Sequence, residues 1–282
     1  MSRLPAETRM GPVHVTVADL DRSLAWYGRA IGLESLGREN GEARLGTGGR
    51  ELLVLVEEPG ARPAPRTTGL YHFALLLPGR ADLARWLAHA ARSRVPLSGA
   101  SDHFVSEALY LRDPDAHGIE VYADRPREVW EGRVGERMTS LPLDVDGLLG
   151  ELPDPASEPF EGLPAGTSMG HVHLKVSDVP QAVAFYRDVL GFDVTASLGP
   201  QAAFFSAGGY HHHLGGNTWE SAGAGPPPAG SASLRHATIE LPSAQDRDAV
   251  LGRLSDAGHE VEPSADGSLV RDPSGNALVL AA

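Results

Sequence analysis

The sequence predicts an α+β protein built from four βαβββ modules, and two internal repeats are the basis of that prediction. The stretch 170–186, GHVHLKVSDVPQAVAFY, recurs in altered form as 11–27, GPVHVTVADLDRSLAWY. The stretch 70–78, LYHFALLLP, recurs as 234–242, LRHATIELP. Each repeat combines period-two alternation, typical of a strand, with a following helical pattern. Repeated units of this size indicate duplicated supersecondary structure.

The first half, residues 1–123, contains module 1 (11–57) and module 2 (70–123). The predicted elements are a strand at 12–18, a helix at 20–31 and strands at 43–47 and 51–58 in module 1, then a strand at 71–78, a helix at 81–94 and strands at 100–112 and 118–122 in module 2. Residues 58–69 are rich in proline and glycine and are predicted to link the two modules.

Residues 124–169 are long, polar and proline-bearing. They are predicted to link the two halves along the surface, with a short helix at 145–152. The second half, 170–282, then begins.

Module 3 (170–213) opens with an alternating strand. Ser177 or Asp178 suits the N-cap of the next helix, and Gly191 suits its C-terminal stop. Residues 215–233 are predicted to be a mobile loop before module 4 (234–281). The predicted elements of module 4 are a strand at 234–242, a helix at 244–258, a turn at 272–277 and a final strand.

Composition narrows the range of functions. The 282 residues are enough for about two domains. The formal net charge of −13 argues against nucleic acid or an anionic membrane as partner. The chain has no cysteine, which excludes disulfides, thiolate metal sites and cysteine nucleophiles. The N-terminus has no apolar core typical of a signal peptide, and no apolar run reaches membrane-spanning length, so a cytoplasmic location is the default expectation.

Four such modules in series resemble the vicinal-oxygen-chelate superfamily, which includes extradiol ring-cleaving dioxygenases, glyoxalase I and bleomycin-resistance proteins. The stretches DHFVSEALYLRDPDAHGIEVYADRP and GGYHHHLGGNTW look most like its catechol 2,3-dioxygenase branch of the four-module type. The resemblance covers nearly the whole chain. It implies two cup-shaped mixed sheets, each made by two modules.

The resemblance also implies a metal-ligand set of two histidines and one glutamate. The family position seven residues before the strand-to-helix aspartate is His171 in module 3 but Pro12 in module 1. The histidine of the LxHxxxxLP strands is His72 or His236. The glutamate seven residues after the aspartate of the DP turn is Glu120 in module 2, whereas module 4 has Val279 at that place.

Only His72, His171 and Glu120 together complete the set, so we expect module 2 to pair with module 3. The ordinary extradiol dioxygenase instead pairs modules within each half. His14 and His173 are repeat-equivalent and are interpreted as structural, as is His236. A rival site within the first half, using His14 with His72 and Glu120, remains open.

This donor set suits Fe(II), although Mn(II) or another divalent ion also fits it. Two imidazoles and a carboxylate on one face of the ion leave positions for the two oxygens of a catechol and for O2. The expected substrate is therefore a small aromatic diol, with O2 as the second substrate and no cofactor besides the metal. The sequence leaves a homo-oligomer open.

The resemblance implies further catalytic residues. His212 is expected to do acid–base work on the substrate hydroxyl, with a pKa near neutrality. We interpret the run 210–213 as a strand, in which His211 and His213 share one face and His212 takes the other. Tyr110 is expected to hydrogen-bond the intermediate, and His103 to assist it.

Asn217 and Trp219 are candidates for the mouth of the cup. The leading interpretation is a non-haem Fe(II) extradiol dioxygenase. The alternatives are a metal-dependent glyoxalase-like isomerase or lyase, and a metal-free protein that binds a small molecule.

Overall fold

Two eight-stranded mixed sheets organise the computed structural model, which describes residues 3–282. The strands of the first half are β1 (Arg9–Val17), β2 (Glu34–Glu39), β3 (Glu42–Thr47), β4 (Arg50–Glu57), β5 (Arg62–Pro63), β6 (Gly69–Leu77), β7 (Gly99–Asp102), β8 (Ser106–Arg112) and β9 (Gly118–Asp124). Those of the second half are β10 (Ser168–Lys175), β11 (Asp193–Leu198), β12 (Ala202–Ser206), β13 (Leu214–Asn217), β14 (Ser231–Ala232), β15 (Leu234–Glu240), β16 (Val261–Ser264), β17 (Gly267–Arg271) and β18 (Ala277–Ala281).

Each sheet combines one module from each half of the chain. The strand order β7-β8-β9-β6-β10-β13-β12-β11 joins modules 2 and 3 in what we call the 2/3 sheet. The order β2-β3-β4-β1-β15-β18-β17-β16 joins modules 1 and 4 in the 1/4 sheet. The seams are the antiparallel pairs β6–β10 and β1–β15. This is the module pairing expected from the split ligand set.

The helices lie between these strands in sequence. They are α1 (Leu20–Trp26), α2 (Arg80–Arg92), α3 (Arg127–Trp130), α4 (Val134–Arg137), α5 (Val145–Leu149), α6 (Val179–Val183) and α7 (Ala244–Asp256). A π-helical turn extends α1 to Ile31, and another extends α6 to Leu190. The side chain of Asp178 caps α6 by accepting from the Gln181 amide, and Gly191 ends the extension at φ 97°, a left-handed conformation that favours glycine. No helix within residues 3–282 combines the length and apolar character that crossing a membrane needs.

Period-two alternation assigns the two faces of each sheet different environments. Val13 and Val15 on β1, with Phe73 and Leu75 on β6, belong to one continuous apolar core that also receives the helices. His14 and His72 are at alternate positions of the same two strands, so their side chains lie on the opposite faces. The core therefore forms between sheets and helices, and the polar chemistry collects on the other face.

Buried tyrosines tie the two sheets together within each half. Tyr27 of module 1 donates a hydrogen bond of 2.9 Å to Asp113 in the DP turn of module 2. Tyr186 of module 3 donates an equivalent bond of 2.9 Å to Asp272 in module 4. The repeat thus extends to contacts as well as elements.

Several local predictions were wrong. The outer strands β2 and β11 were missed, because β2 is exposed at every position and neither carries a clear alternation. Residues 211–213 are not a strand but an irregular connection between β12 and β13. The start of the predicted mobile loop 215–233 is strand β13, and its end contains β14.

The linker 124–169 does more than follow the surface. The predicted short helix is present as α5. The side chains of Trp130 and Val134 are buried against Phe204 of β12 and Val105, which lies between β7 and β8. Leu141 forms a β-bridge with Asp102. The burial of these apolar side chains explains why a polar-looking segment has a fixed course.

Candidate metal centre

Three adjacent central strands of the 2/3 sheet bring together the three predicted ligands. Ala74 on β6 is the register partner of Glu120 on β9 and of His171 on β10. His72 lies two residues before Ala74 and therefore on the same face. The small Ala74 side chain leaves space between its neighbours, so the two histidines and the glutamate converge above it.

The ligating atoms form a nearly equilateral triangle. Glu120 Oε2 is 3.1 Å from His72 Nε2 and 3.2 Å from His171 Nε2, and the two Nε2 atoms are 3.3 Å apart. Adjacent ligands of an octahedral ion with bonds of about 2.1 Å stand about 3 Å apart. The triangle therefore matches one face of an octahedron, the arrangement of two histidines and a carboxylate that leaves the opposite face open.

The protonation states also suit a cation. Burial raises the pKa of Glu120, but the electrostatic interaction with His171 and hydrogen bonds from both histidines outweigh it and hold that pKa well below its usual value. Burial lowers the pKa of His171 to about 4, against the opposing pull of Glu120. Near neutral pH the set therefore offers an ionised carboxylate and a neutral imidazole, the forms that bind metal.

The hydrogen bonding of His171 is a further observation that is consistent with a divalent ion at this donor set. His171 Nδ1 is buried, and within residues 3–282 it has no hydrogen-bond partner, so the polar contacts of this ring among those residues are all made at Nε2. Nε2 itself faces the other two ligand atoms. We conclude that His72, Glu120 and His171 are able to hold a divalent cation.

A cavity of about 480 Å³ opens over the triad. That volume is within the range of small-molecule sites. Its wall includes the aromatic side chains of Tyr71, Phe204 and Trp219. The linker also contributes, through Met138, Thr139 and Ser140. These linker residues could not be predicted from the sequence, because their contribution depends on the fold of a segment without repeat or pattern.

His103 and Tyr110 form a hydrogen-bonded pair at this cavity. The Tyr110 hydroxyl is 2.6 Å from His103 Nε2, and His103 Nδ1 is 2.7 Å from the carbonyl oxygen of Thr139. Because a carbonyl only accepts, Nδ1 carries the proton and a neutral His103 accepts at Nε2 from Tyr110. Burial, and next the charge of Glu120, raise the pKa of Tyr110 well above its usual value, so the phenol stays protonated.

A second chain of hydrogen bonds fixes the tautomer of His212. Asp124 Oδ1 is 2.8 Å from His211 Nε2, and His211 Nδ1 is 2.8 Å from His212 Nδ1. A carboxylate accepts from Nε2–H of His211, which leaves Nδ1 of a neutral His211 to accept from Nδ1–H of His212. His212 Nε2 is then unprotonated, on a ring that lines the cavity.

This arrangement changes the expectation for His212. Its predicted pKa near neutrality is not what the structure gives, because burial, and then the neighbouring His171 and His211, lower the pKa of His212 well below its usual value. His212 is thus a neutral acceptor. Asp124 is four residues after Glu120 on β9, so the two side chains lie on the same face of the strand. The alternation of the strand could therefore have indicated that Asp124 faces the site. His211 was missed because the run was interpreted as a strand.

The remaining candidates are distributed differently. His173 lines the cavity as the register partner of His72, and its Nε2 is buried without a partner among the described residues. Trp219 also lines the cavity and is 42% exposed at its edge. Asn217 does not reach the mouth: it is fully buried in β13, where its side-chain oxygen accepts from the Trp219 amide.

The rival set within the first half does not form. His14 lies on β1 of the 1/4 sheet, where His236 is its register partner. His72 and Glu120 belong to the other sheet. The rival prediction was wrong because each sheet pairs modules from different halves.

Comparisons with known proteins give a consistent result. The profile of the Glyoxalase/Bleomycin resistance protein/Dioxygenase superfamily matches residues 9–121 and 168–280. The chain is 42% identical over 285 residues to a catechol-2,3-dioxygenase of Bacillus subtilis (strain 168), and the match covers 99% of each protein.

Solved structures share the fold at low sequence identity. A candidate dioxygenase from Bacillus subtilis aligns with a TM-score of 0.71 at 14% identity, over 99% of this chain and 86% of that one. Glyoxalase I from Zea mays aligns with a TM-score of 0.60 at 15% identity, over 97% of this chain and 92% of that one. At these identities the likeness concerns the fold alone.

Proposed function

This chain belongs to the glyoxalase/bleomycin resistance protein/dioxygenase superfamily, and we propose that it is a non-haem Fe(II)-dependent extradiol dioxygenase that cleaves a catechol with O2. The predicted superfamily and its fold of two mixed sheets are confirmed. The observation that carries the proposal is the buried triangle of His72, Glu120 and His171 beside an unprotonated His212.

The Bacillus subtilis relative supports an oxidoreductase of this class, since its 42% identity extends over the full chain. That relative is named for catechol as substrate. For this chain we propose catechol or a substituted catechol as substrate, because aromatic side chains line part of the cavity. Fe(II) as the ion, a cytoplasmic location and a homo-oligomer remain predictions.

His72, His171 and Glu120 would hold an Fe(II) ion, which when bound would supply Lewis-acid activation of the diol and redox chemistry toward O2. The chain's own residues have separate tasks. His212 Nε2 accepts the proton of a substrate hydroxyl. The resulting anionic diol binds a cation more strongly than the neutral diol does. His211 and Asp124 hold this ring in the tautomer that can accept.

Tyr110 supplies a neutral donor on the other side of the site. Its hydroxyl bonds to His103 Nε2 and can turn its proton to an oxygen of the substrate as negative charge develops there. Tyr71, Phe204 and Trp219 pack against an aromatic ring and exclude water from it.

Oxygen uptake tests the proposal. The protein is loaded anaerobically with Fe(II), freed of excess metal and mixed with a panel of catechols in aerated buffer. We expect one O2 consumed for each catechol, with formation of a muconic semialdehyde. A parallel sample of Glu120→Ala controls for free iron and should take up no oxygen.

Other outcomes select other functions. Stoichiometric metal without oxygen uptake contradicts the dioxygenase and favours the glyoxalase-like isomerase or lyase. Failure to retain any metal favours a protein that binds a small molecule without turnover.

A further inference from the structure

The 1/4 sheet carries a second cluster of metal-binding side chains, formed by His14, His236 and Asp266. Asp266 Oδ2 is 4.0 Å from His14 Nε2 and 3.9 Å from His236 Nε2. The three ligating atoms lie within 4.8 Å of one another. This cluster is separate from the triad, because it lies on the other sheet.

The fold explains how these residues meet. His14 on β1 and His236 on β15 are direct register partners across the central seam, and their rings stack with centroids 3.9 Å apart. Asp266 lies in the turn between β16 and β17, at the far edge of the same sheet. The curl of the sheet brings this turn back over its own centre.

The repeat shows that this is not a copy of the triad. His236 is equivalent to His72, but Pro12 and Val279 stand where the triad has His171 and Glu120. The second histidine is instead His14, and the carboxylate comes from a hairpin tip. A second histidine and a carboxylate are thus present at positions that the triad does not use.

The side chains have no other evident use for these atoms. His236 Nε2 is buried without a hydrogen-bond partner among residues 3–282. Both distances to Asp266 are too long for a hydrogen bond. Ligands of a four-coordinate ion stand about 3.4 Å apart for bonds of about 2.1 Å, so each histidine has to approach Asp266 by only about half an ångström.

Two arginines, Arg44 and Arg235, and two carboxylates, Glu51 and Asp266, are the charged groups near the cluster, so their formal charges cancel. Arg44 is paired with Glu51, with 3.6 Å between Nη1 and Oε2. Arg235 donates from Nη1 to the hydroxyl of Thr16 at 3.4 Å. Asp266 is half-exposed, so water can complete the coordination.

We propose that His14, His236 and Asp266 form a second site for a divalent transition-metal ion of the Zn²⁺ or Co²⁺ class. Two imidazoles and one carboxylate suit such ions better than Mg²⁺ or Ca²⁺, which prefer oxygen ligands. An ion at this site would link module 1, in the first half of the chain, to module 4, in the second half.

Metal counting in separated variants tests the proposal. Each protein is loaded with Co²⁺, desalted and measured by elemental analysis together with its visible absorption spectrum. We expect two ions per chain in the unaltered protein. One should remain in Glu120→Ala, which lacks the triad carboxylate, and one in His236→Ala. The double variant should retain none.

Asp266→Asn changes a residue on an exposed turn, so this variant is expected to fold normally. A chelator too weak to remove the second ion from the unaltered protein should remove it from Asp266→Asn. His89→Ala, which removes a half-buried histidine of α2 outside both clusters, is the control and should keep both ions. A single ion in the unaltered protein, or an ion that persists in the Glu120→Ala/His236→Ala double variant, overturns the proposal. Because His236→Ala leaves the triad intact, ring cleavage and the second ion fail independently.

Discussion

Asp124→Asn tests the hydrogen-bond chain that sets the state of His212. In the native chain the Asp124 carboxylate can only accept, so His211 donates from Nε2 and His212 donates from Nδ1. An asparagine can donate its amide hydrogen to His211 Nε2. That reverses both bonds and leaves His212 protonated on Nε2, where it cannot accept a proton from the substrate.

The size of the effect follows from the two bonds. Recovering the working tautomer requires breaking or turning two buried hydrogen bonds, each worth about 0.5–1.5 kcal/mol. The resulting loss of about 1–3 kcal/mol corresponds to a rate about 5–150 times slower. Asp124→Ala removes the acceptor without reversing the chain, so it should cost about 1 kcal/mol, or about fivefold.

The assay is kcat with catechol under saturating O2, on enzyme whose iron content has been measured. Both variants should keep stoichiometric iron, since Asp124 does not contact the triad atoms. Asparagine should be slower than alanine, although it is the closer isostere. The reasoning is refuted if alanine is the slower variant, or if both equal the unaltered enzyme.

Three further predictions concern catalysis, stability and assembly. His212→Ala should keep its iron and bind catechol but turn over about a hundredfold slower or more, and loss of iron would make His212 a ligand instead. Tyr27→Phe should lower the free energy of unfolding in urea by about 1–3 kcal/mol, because it leaves the buried Asp113 short of a donor. Tyr186→Phe removes the repeat-equivalent bond to Asp272 and should have the same effect. Unchanged stability of both variants would contradict the role of these bonds. Fragments 1–164 and 165–282, which together keep the linker residues of the cavity, should recover iron and ring cleavage only when co-expressed, whereas an active isolated first fragment would contradict the module pairing.

The sequence predicted the ligand strands because the repeat allowed its copies to be compared. Pro12 against His171, and Val279 against Glu120, showed that each half lacks part of the set. That deficit implied the pairing of modules 2 and 3 before any topology was known. Backbone alternation then sufficed to put the ligands on one face.

Other features depend on contacts that no local pattern records. The exposed strand β2 carries no apolar alternation, so only its pairing with β3 defines it. The three histidines at 211–213 were misread because alternation was assumed where the chain leaves the sheet. The contact of His211 with Asp124 joins residues 87 positions apart, and it required the folded linker and sheet together.

The metal triad is tested most directly by anomalous diffraction at the iron edge, on crystals grown anaerobically with Fe(II) and catechol. The account predicts an iron peak about 2.1 Å from His72 Nε2, His171 Nε2 and the Glu120 carboxylate, with both catechol oxygens on the opposite face. An iron peak that lacks any of these three ligands, or a catechol bound away from it, would contradict the account.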